Sequence, residues 1–387
     1  MCFRRTLTAL FLLFAFLVPA CQAQQLGKPV MIPAGSDADH QLNAINNADA
    51  SQKLALIDGF AKAFPESDMQ IVADEQYVNY YLNAKRYDKA FEYGDKLFAL
   101  DPDNYLNAVN MVRAAAEKGA LDRLYTYGEK ANSILSRYKA SPPPEGISAD
   151  DWARLKSDKL ATLKEDQDYV EQCLLNGAYN SKDPGKKADD LVRFAKMYPG
   201  TAQSDQALMV AATAYQQAQN RGKMQEIINN ALAKDPNNID MMLLIADDYS
   251  ENGEQLDKAE AYARRAISLT DSAKKPEQLT DEQWNQQTSV QKGWAYSTIG
   301  QVDLQQRQES QAIGNLLKAG PLLKSNAAMY ARNQYRLGFA YLNLKKNADA
   351  TKAFTEAAAI DSPYKAMAQQ KLDELGAAKP AAHKKAS

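Results

Sequence analysis

Apolar residues recur at three- and four-residue spacing in one segment after another, from about residue 43 to about residue 375. That spacing predicts a succession of amphipathic helices, and no stretch shows the period of two expected of a half-buried strand. Tyr81, Tyr215, Tyr249, Tyr296 and Tyr341 each sit midway along such a segment, and an Ala-rich segment follows each after a turn. Tyr215 and Tyr249 are 34 residues apart, as are Gly94 and Gly128, which lie in the near-copies Phe91–Leu97 and Tyr125–Ala131. A fixed period near 34 predicts stacked helical hairpins, none of which buries its apolar face alone. It moves the functional expectation from catalysis towards partner binding.

A longer-range copy punctuates the array. Residues 144–152 and 276–284 match at a separation of 132 residues, and each follows a Pro-containing break and opens a helix. Ser148 and Thr280 are predicted N-caps, with Asp151 and Gln283 three residues on as partners. The run Ser141-Pro142-Pro143-Pro144 is the expected boundary within the array. The predicted organisation is N-terminal repeats over 41–140, a break and connecting helix over 141–165, central repeats over 166–275, and C-terminal repeats with a capping helix over 276–376. Leu54, Ile57, Phe60 and Phe64 are the expected packing face of a segment covering one end of the stack. A helix over about 364–375 covers the other. Residues 24–40 read as a flexible leader and 377–387 as a disordered basic tail.

The first 23 residues carry the anatomy of a secretory signal: Arg4 and Arg5, a short apolar core over 7–18, then Pro19-Ala20-Cys21-Gln22-Ala23. Cleavage after Ala23 would give a secreted protein of the periplasm or cell envelope. Lipidation of Cys21 would give an outer-membrane lipoprotein. No later apolar run reaches the roughly 20 residues that a transmembrane helix needs. Loss of the signal takes Arg4 and Arg5 away and moves the net charge from −2 to −4. The balance of 46 basic and 48 acidic residues gives no nucleic-acid footprint. Of Cys2, Cys21 and Cys173, the last alone remains as a thiol, read as a small buried hydrophobe on a helix face.

These residues resemble the tetratricopeptide repeat family of exported bacterial type. Leu337-Gly338, Tyr341, Ala350, Phe354, Ala357 and Pro363 match its pattern nearly throughout. Further matches start near Ile71, Tyr105, Asp205, Ile239 and Gln286, with a degenerate copy over about 169–201, covering roughly 300 residues in all. The resemblance implies an all-α fold: a solenoid of about six or seven antiparallel helix pairs with a C-terminal capping helix. It also implies a groove lined by the first helix of each hairpin. Carried over residue by residue, that groove includes Asn79, Asn83, Arg113, Gln216, Asp247, Trp294, Ser297, Arg332, Tyr335, Arg336 and Phe339. Trp294, Tyr335 and Phe339 with Arg332 and Arg336 suggest a peptide site for acidic and apolar residues across 290–340. Packing against the next hairpin is the alternative role for Trp294 and Phe339.

Chemistry is sparse. The two histidines, His40 and His383, both lie in segments read as disordered. That argues against His-based catalysis and most transition-metal sites. Gly-Lys pairs lack the flanks of a phosphate loop. Asp189-Asp190 and Asp247-Asp248 are read as solvated helix faces and turn residues. The expectation is therefore a binding scaffold with no enzymatic activity, cofactor or metal. Its partner would be a protein or peptide of the cell envelope, and it would touch the membrane only through a lipidated Cys21. Phe60-x-x-x-Phe64-Pro65-Glu66-Ser67 and Phe194-x-x-x-Tyr198-Pro199-Gly200-Thr201 are similar to openings in outer-membrane assembly lipoproteins, the second expectation. An enzyme or carbohydrate-binding protein with a helical-hairpin body is the third.

Overall fold

A computed structural model describes residues 26–377, which form eighteen helices and no strand. The chain divides into two compact units, the first ending at Leu208 and the second beginning at Met209.

In the first unit α1 (Asp37–Asn47) and α2 (Ala50–Ala63) precede the hairpins α3 (Ser67–Asn83) with α4 (Tyr87–Leu100), and α5 (Tyr105–Lys118) with α6 (Leu121–Ala140). A single helix, α7 (Ala149–Thr162), intervenes before α8 (Lys164–Tyr179) and α9 (Pro184–Met197). Helix α10 (Ala202–Gln217) carries the unit boundary. The second unit continues through α11 (Arg221–Lys234), α12 (Ile239–Asn252), α13 (Leu256–Ser272), α14 (Asp281–Gln305), α15 (Glu309–Leu323), α16 (Ala327–Asn343) and α17 (Asn347–Ala358) to α18 (Tyr364–Ala377).

The recurring tyrosine has a backbone role. The N–H of Arg86 donates to the carbonyl of Tyr81, Asn220 to Tyr215, Glu254 to Tyr249 and Lys346 to Tyr341, at 2.8–2.9 Å. Ala120 to Ala115 and Gln308 to Asp303 repeat the bond. In each case the residue before the donor has a positive φ: Lys85, Gly119, Gln219, Gly253, Arg307 and Lys345. This is the Schellman closure of a helix, which satisfies carbonyls that the helix end would otherwise orphan. Six hairpins thus turn by one device, which recurs at the 34-residue period from Lys85 to Gly119 and from Gln219 to Gly253.

Side chains at the same positions fill the space between helices. Tyr81, Tyr215 and Tyr249 are buried and Tyr341 is half-buried, whereas Tyr296, also half-buried, falls outside this register, its helix placing Asp303 at the equivalent position. In the first unit Tyr77 stacks on Tyr93 at 4.1 Å between ring centroids. A Cβ at Gly128 would sit 2.7 Å from Leu174, so the repeated glycine marks a close helix approach. In the second unit a Cβ at Gly338 would lie 2.5 Å from the Phe354 ring. Ile57 and Phe60 of α2 are fully buried, and Leu54 and Phe64 are half-buried. The two predicted caps are present. Ser148 Oγ accepts from Asp151 N at 3.1 Å, and Thr280 with Gln283 completes a reciprocal capping box.

Three expectations change. Residues 26–40 are not a free leader. Lys28 N donates to Asp101 Oδ2 at 2.9 Å, Leu26 packs against Tyr138 and Trp152, and residues 37–40 start α1. His40 is therefore an exposed residue of α1 rather than part of a disordered segment. The Pro-rich break does not divide the fold. Trp152 Nε1 donates to the Ser141 carbonyl at 3.0 Å, Lys156 Nζ donates to the carbonyls of Lys139 and Ser141, and α6 packs directly on α8. The division lies at 208/209 instead. Asp190, Asp247 and Asp248 are buried rather than solvated, each paired with an arginine. The signal sequence, Cys21, His383 and the tail beyond residue 377 lie outside the described residues.

Candidate functional site

In the second unit the first helices of successive hairpins lie side by side, and residues from α10, α12, α14 and α16 line one cleft of about 430 Å³. Met209, Val290, Trp294 and Met329 give it an apolar wall. Asp240 and Gln283, Gln286, Gln287 and Gln291 give it a polar rim. Helix α14 contributes most because residues 283, 286, 287, 290, 291 and 294 fall at three- and four-residue steps, the spacing of one helix face. Gln291 Nε2 donates to Asp240 Oδ1 at 2.9 Å, tying α14 to α12 at the rim. Trp294 is half-buried and packs on the cluster of Leu243, Ala263, Ala266, Ala295 and Ile299. Its Nε1 is buried with no hydrogen-bond partner among the described residues.

One to two turns along the same helices the face is closed by charge. Asp247 of α12 is 1% exposed and accepts from Arg332 and, at 2.9 Å, from Arg336, both on α16. Between them, α14 supplies the Ser297 carbonyl and Oγ, each 3.1 Å from Arg336 Nη1, and Thr298 Oγ1, 3.3 Å from Asp247. Arg336 also pairs with Glu251, whose side chain is 41% exposed. Burial raises the Asp247 carboxyl, but the Arg332 and Arg336 guanidiniums outweigh it and hold the group below the usual carboxylate range. The carboxylates beside Arg336 likewise overcome its burial and hold its guanidinium charged.

The other groove residues named from the sequence scatter. Tyr335 and Phe339 pack on Phe354 of α17 at 5.7 and 5.5 Å, and Tyr335 also lies 5.4 Å from Tyr364 of α18, so they serve the capping end. Gln216 is exposed beside a second cleft, of about 270 Å³, with Arg221 and Asp248. In the first unit Asn79 and Asn83 are exposed, and Asn79 borders a small pocket of about 40 Å³ with Glu75 and Asn110. Arg113 is exposed and lies 5.5 Å over the Tyr169 ring. Cys173 is half-buried, and burial pushes its thiol up. Sequence reading therefore placed Trp294 in the cleft and missed its partners. The glutamine stripe from Gln283 to Gln291 was the available signal. Arg336 was read as a cation offered to a partner, but its burial against Asp247 and Ser297 commits it to the fold.

Each unit is a tetratricopeptide-like stack of helical hairpins. Solved structures similar to the chain include the APC/C hetero-tetramer Cut9-Hcn1 (TM-score 0.39, 13% identity, 87% of this chain and 66% of that one). The P58(IPK) TPR domain (0.30, 13%, 88% and 98%) and yeast Tom70 (0.32, 11%, 88% and 95%) are similar too. No family profile matches the sequence. No curated protein matches it either. Among the described residues no helix is long and apolar enough to cross a membrane, and no cluster of three His, Cys, Asp or Glu is placed to hold a metal ion.

Proposed function

We propose that this chain is an exported protein-interaction scaffold of the cell envelope, and that the cleft walled by Met209, Val290, Trp294 and Met329 receives a segment of its partner. The observation that carries the reading is the convergence of four first helices on one solvent-open cleft with an apolar wall and a carboxamide rim. The apolar wall suits a large apolar side chain, and glutamine side chains can both donate to and accept from an extended peptide backbone. The partner chemistry is therefore apolar and backbone-directed. The acidic preference expected from Arg332 and Arg336 falls away, because Asp247 and Glu251 together already neutralise that pair.

Export rests on the sequence of residues 1–23. A mature N-terminus at Gln24 would mark secretion, and a mass above that of the polypeptide would mark lipid on Cys21. The binding test uses the mature protein with Trp152→Phe and Trp284→Phe, so that Trp294 reports alone. Titration with a library of extended peptides carrying a central Leu, Met or Phe should give a saturable change in Trp294 emission, and Met329→Glu should abolish it. Absence of saturable binding up to millimolar peptide would overturn the reading.

A further inference from the structure

The cleft and the buried charge cluster share three helices. Asp240, Trp294 and Met329, on α12, α14 and α16, line the cleft. Asp247, Ser297 with Thr298, and Arg332 with Arg336 lie farther along the same three helices. Asp247 and Arg336 are 89 residues apart and belong to hairpins separated by a whole hairpin, yet they meet directly. Neighbouring hairpins in a helical stack are held largely by apolar burial, which is non-directional. A buried ion pair does not slide, because moving either partner leaves an uncompensated charge in a dry interior. The cluster is short of acceptors rather than donors: Arg332 Nε and Arg336 Nε are buried without a partner among the described residues. Asp247 is thus a fully buried carboxylate that two guanidiniums share.

We propose that Asp247 is a positioning residue for the cleft. By clasping α16 to α12 across α14, it fixes the distance between Met329 of the apolar wall and Asp240 of the polar rim, and so sets which side chains the cleft admits. The inference rests on the cleft being the binding site, but its first test needs no ligand. Asp248 supplies the control. It is the next residue, is also buried, and is paired with Arg221 of α11 rather than with α14 or α16.

In the single-tryptophan protein, acrylamide quenching of Trp294 should rise at least about twofold in Asp247→Asn and stay within about 20% of the parent in Asp248→Asn. Amide exchange over 239–252 and 327–343 should accelerate in Asp247→Asn, with exchange over 67–140 unchanged. Should Asp247→Asn fail to fold, Glu251→Gln, at the exposed edge of the cluster, should shift Trp294 quenching in the same direction by a smaller factor. Equal quenching changes in the two Asp variants, or none in Asp247→Asn and Glu251→Gln, would overturn the clasp. For a peptide that binds the parent, Asp247→Asn should weaken binding at least about tenfold relative to Asp248→Asn. A parent that binds no peptide would refute the binding reading and leave the quenching result standing.

Discussion

Asp247 and Arg336, 89 residues apart in the chain, lie 2.9 Å apart in the fold, and both are almost wholly inaccessible to solvent. Removing one member of a buried pair leaves the other uncompensated, so Asp247→Asn should cost about 3–5 kcal/mol. Urea unfolding of the second unit, followed through Trp284 and Trp294 with Trp152→Phe, measures it. The pH dependence has a fixed sign. The folded carboxyl titrates below its ordinary 3.8, so its contribution is complete above that value and is lost as pH falls through the folded value. Asp247→Asn should therefore flatten the acid limb of the stability curve. An unchanged limb would show that other carboxylates dominate it.

The hairpin turns offer a gain rather than a loss. Lys85 at φ +54 and Lys345 at φ +58 occupy the left-handed position that Gly119 and Gly253 fill elsewhere. A side chain in that region costs about 1 kcal/mol or more, and glycine avoids the cost. Lys85→Gly and Lys345→Gly should each stabilise the fold by up to about 1 kcal/mol, offset in part by the entropy of an added glycine in the unfolded chain. Thermal unfolding checks it, and a drop in Tm for both would show that the lysine side chains make contacts that outweigh the strain.

The hairpin register was legible in the sequence because it is local. The tyrosine, the turn and the small residues that let helices approach all recur within one repeat, and Tyr81, Tyr215, Tyr249 and Tyr341 hold equivalent carbonyls in equivalent turns. The candidate site was legible only at Trp294. Its cleft is made between repeats: Met209, Asp240 and Met329 come from three other hairpins, and no period of 34 says how far those hairpins curve towards one another. The Asp247–Arg336 pair was hidden for the same reason. Adjacent aspartates on a helix are usually solvated, and the burial of Asp247 depends on guanidiniums supplied from α16, as that of Asp248 does on Arg221 of α11. The docked segment at Leu26 was missed because three residues carry no periodicity.

Asp74 on α3 presents the opposite electrostatic case. Burial pushes its carboxyl from 3.8 up to about 6, and the Lys96 ammonium offsets this only in part. Between those values the folded state holds more protons than the unfolded chain, so stability falls as pH rises through that window. Asp74→Asn should raise Tm at pH 7 and remove the fall between pH 4 and pH 6. Paired melts at pH 4, 5, 6 and 7 decide it. A variant that melts below the parent at pH 7 would mean that the ionised carboxylate has partners worth more than its burial costs.

The segment at the start of the described chain is specified residue by residue. Gly27 has φ +124, a region that side chains rarely adopt, and a Cβ there would meet Asp101 Oδ2 at 2.7 Å. The same Asp101 oxygen accepts from Lys28 N, while Lys28 Nζ pairs with Asp68 and the Leu26 carbonyl accepts from Tyr105 N at 3.4 Å. Any residue with a Cβ at position 27 is thus strained in backbone and crowded by the acceptor that holds the next residue. Gly27→Ala should release residues 26–28 from α5 and α6 while leaving the helices folded. Three changes should appear together: faster amide exchange at Tyr105, new protease cleavage ahead of α1, and greater quenching of Trp152, whose cluster loses Leu26. The loss in global stability should be about 1–3 kcal/mol, the range for a strained backbone position. Lys28→Ala separates the contributions, since it keeps the backbone bond to Asp101 and deletes an exposed ion pair worth less than about 1 kcal/mol. If Gly27→Ala and Lys28→Ala behave alike, surface charge holds the segment, and the backbone fit at Gly27 does not.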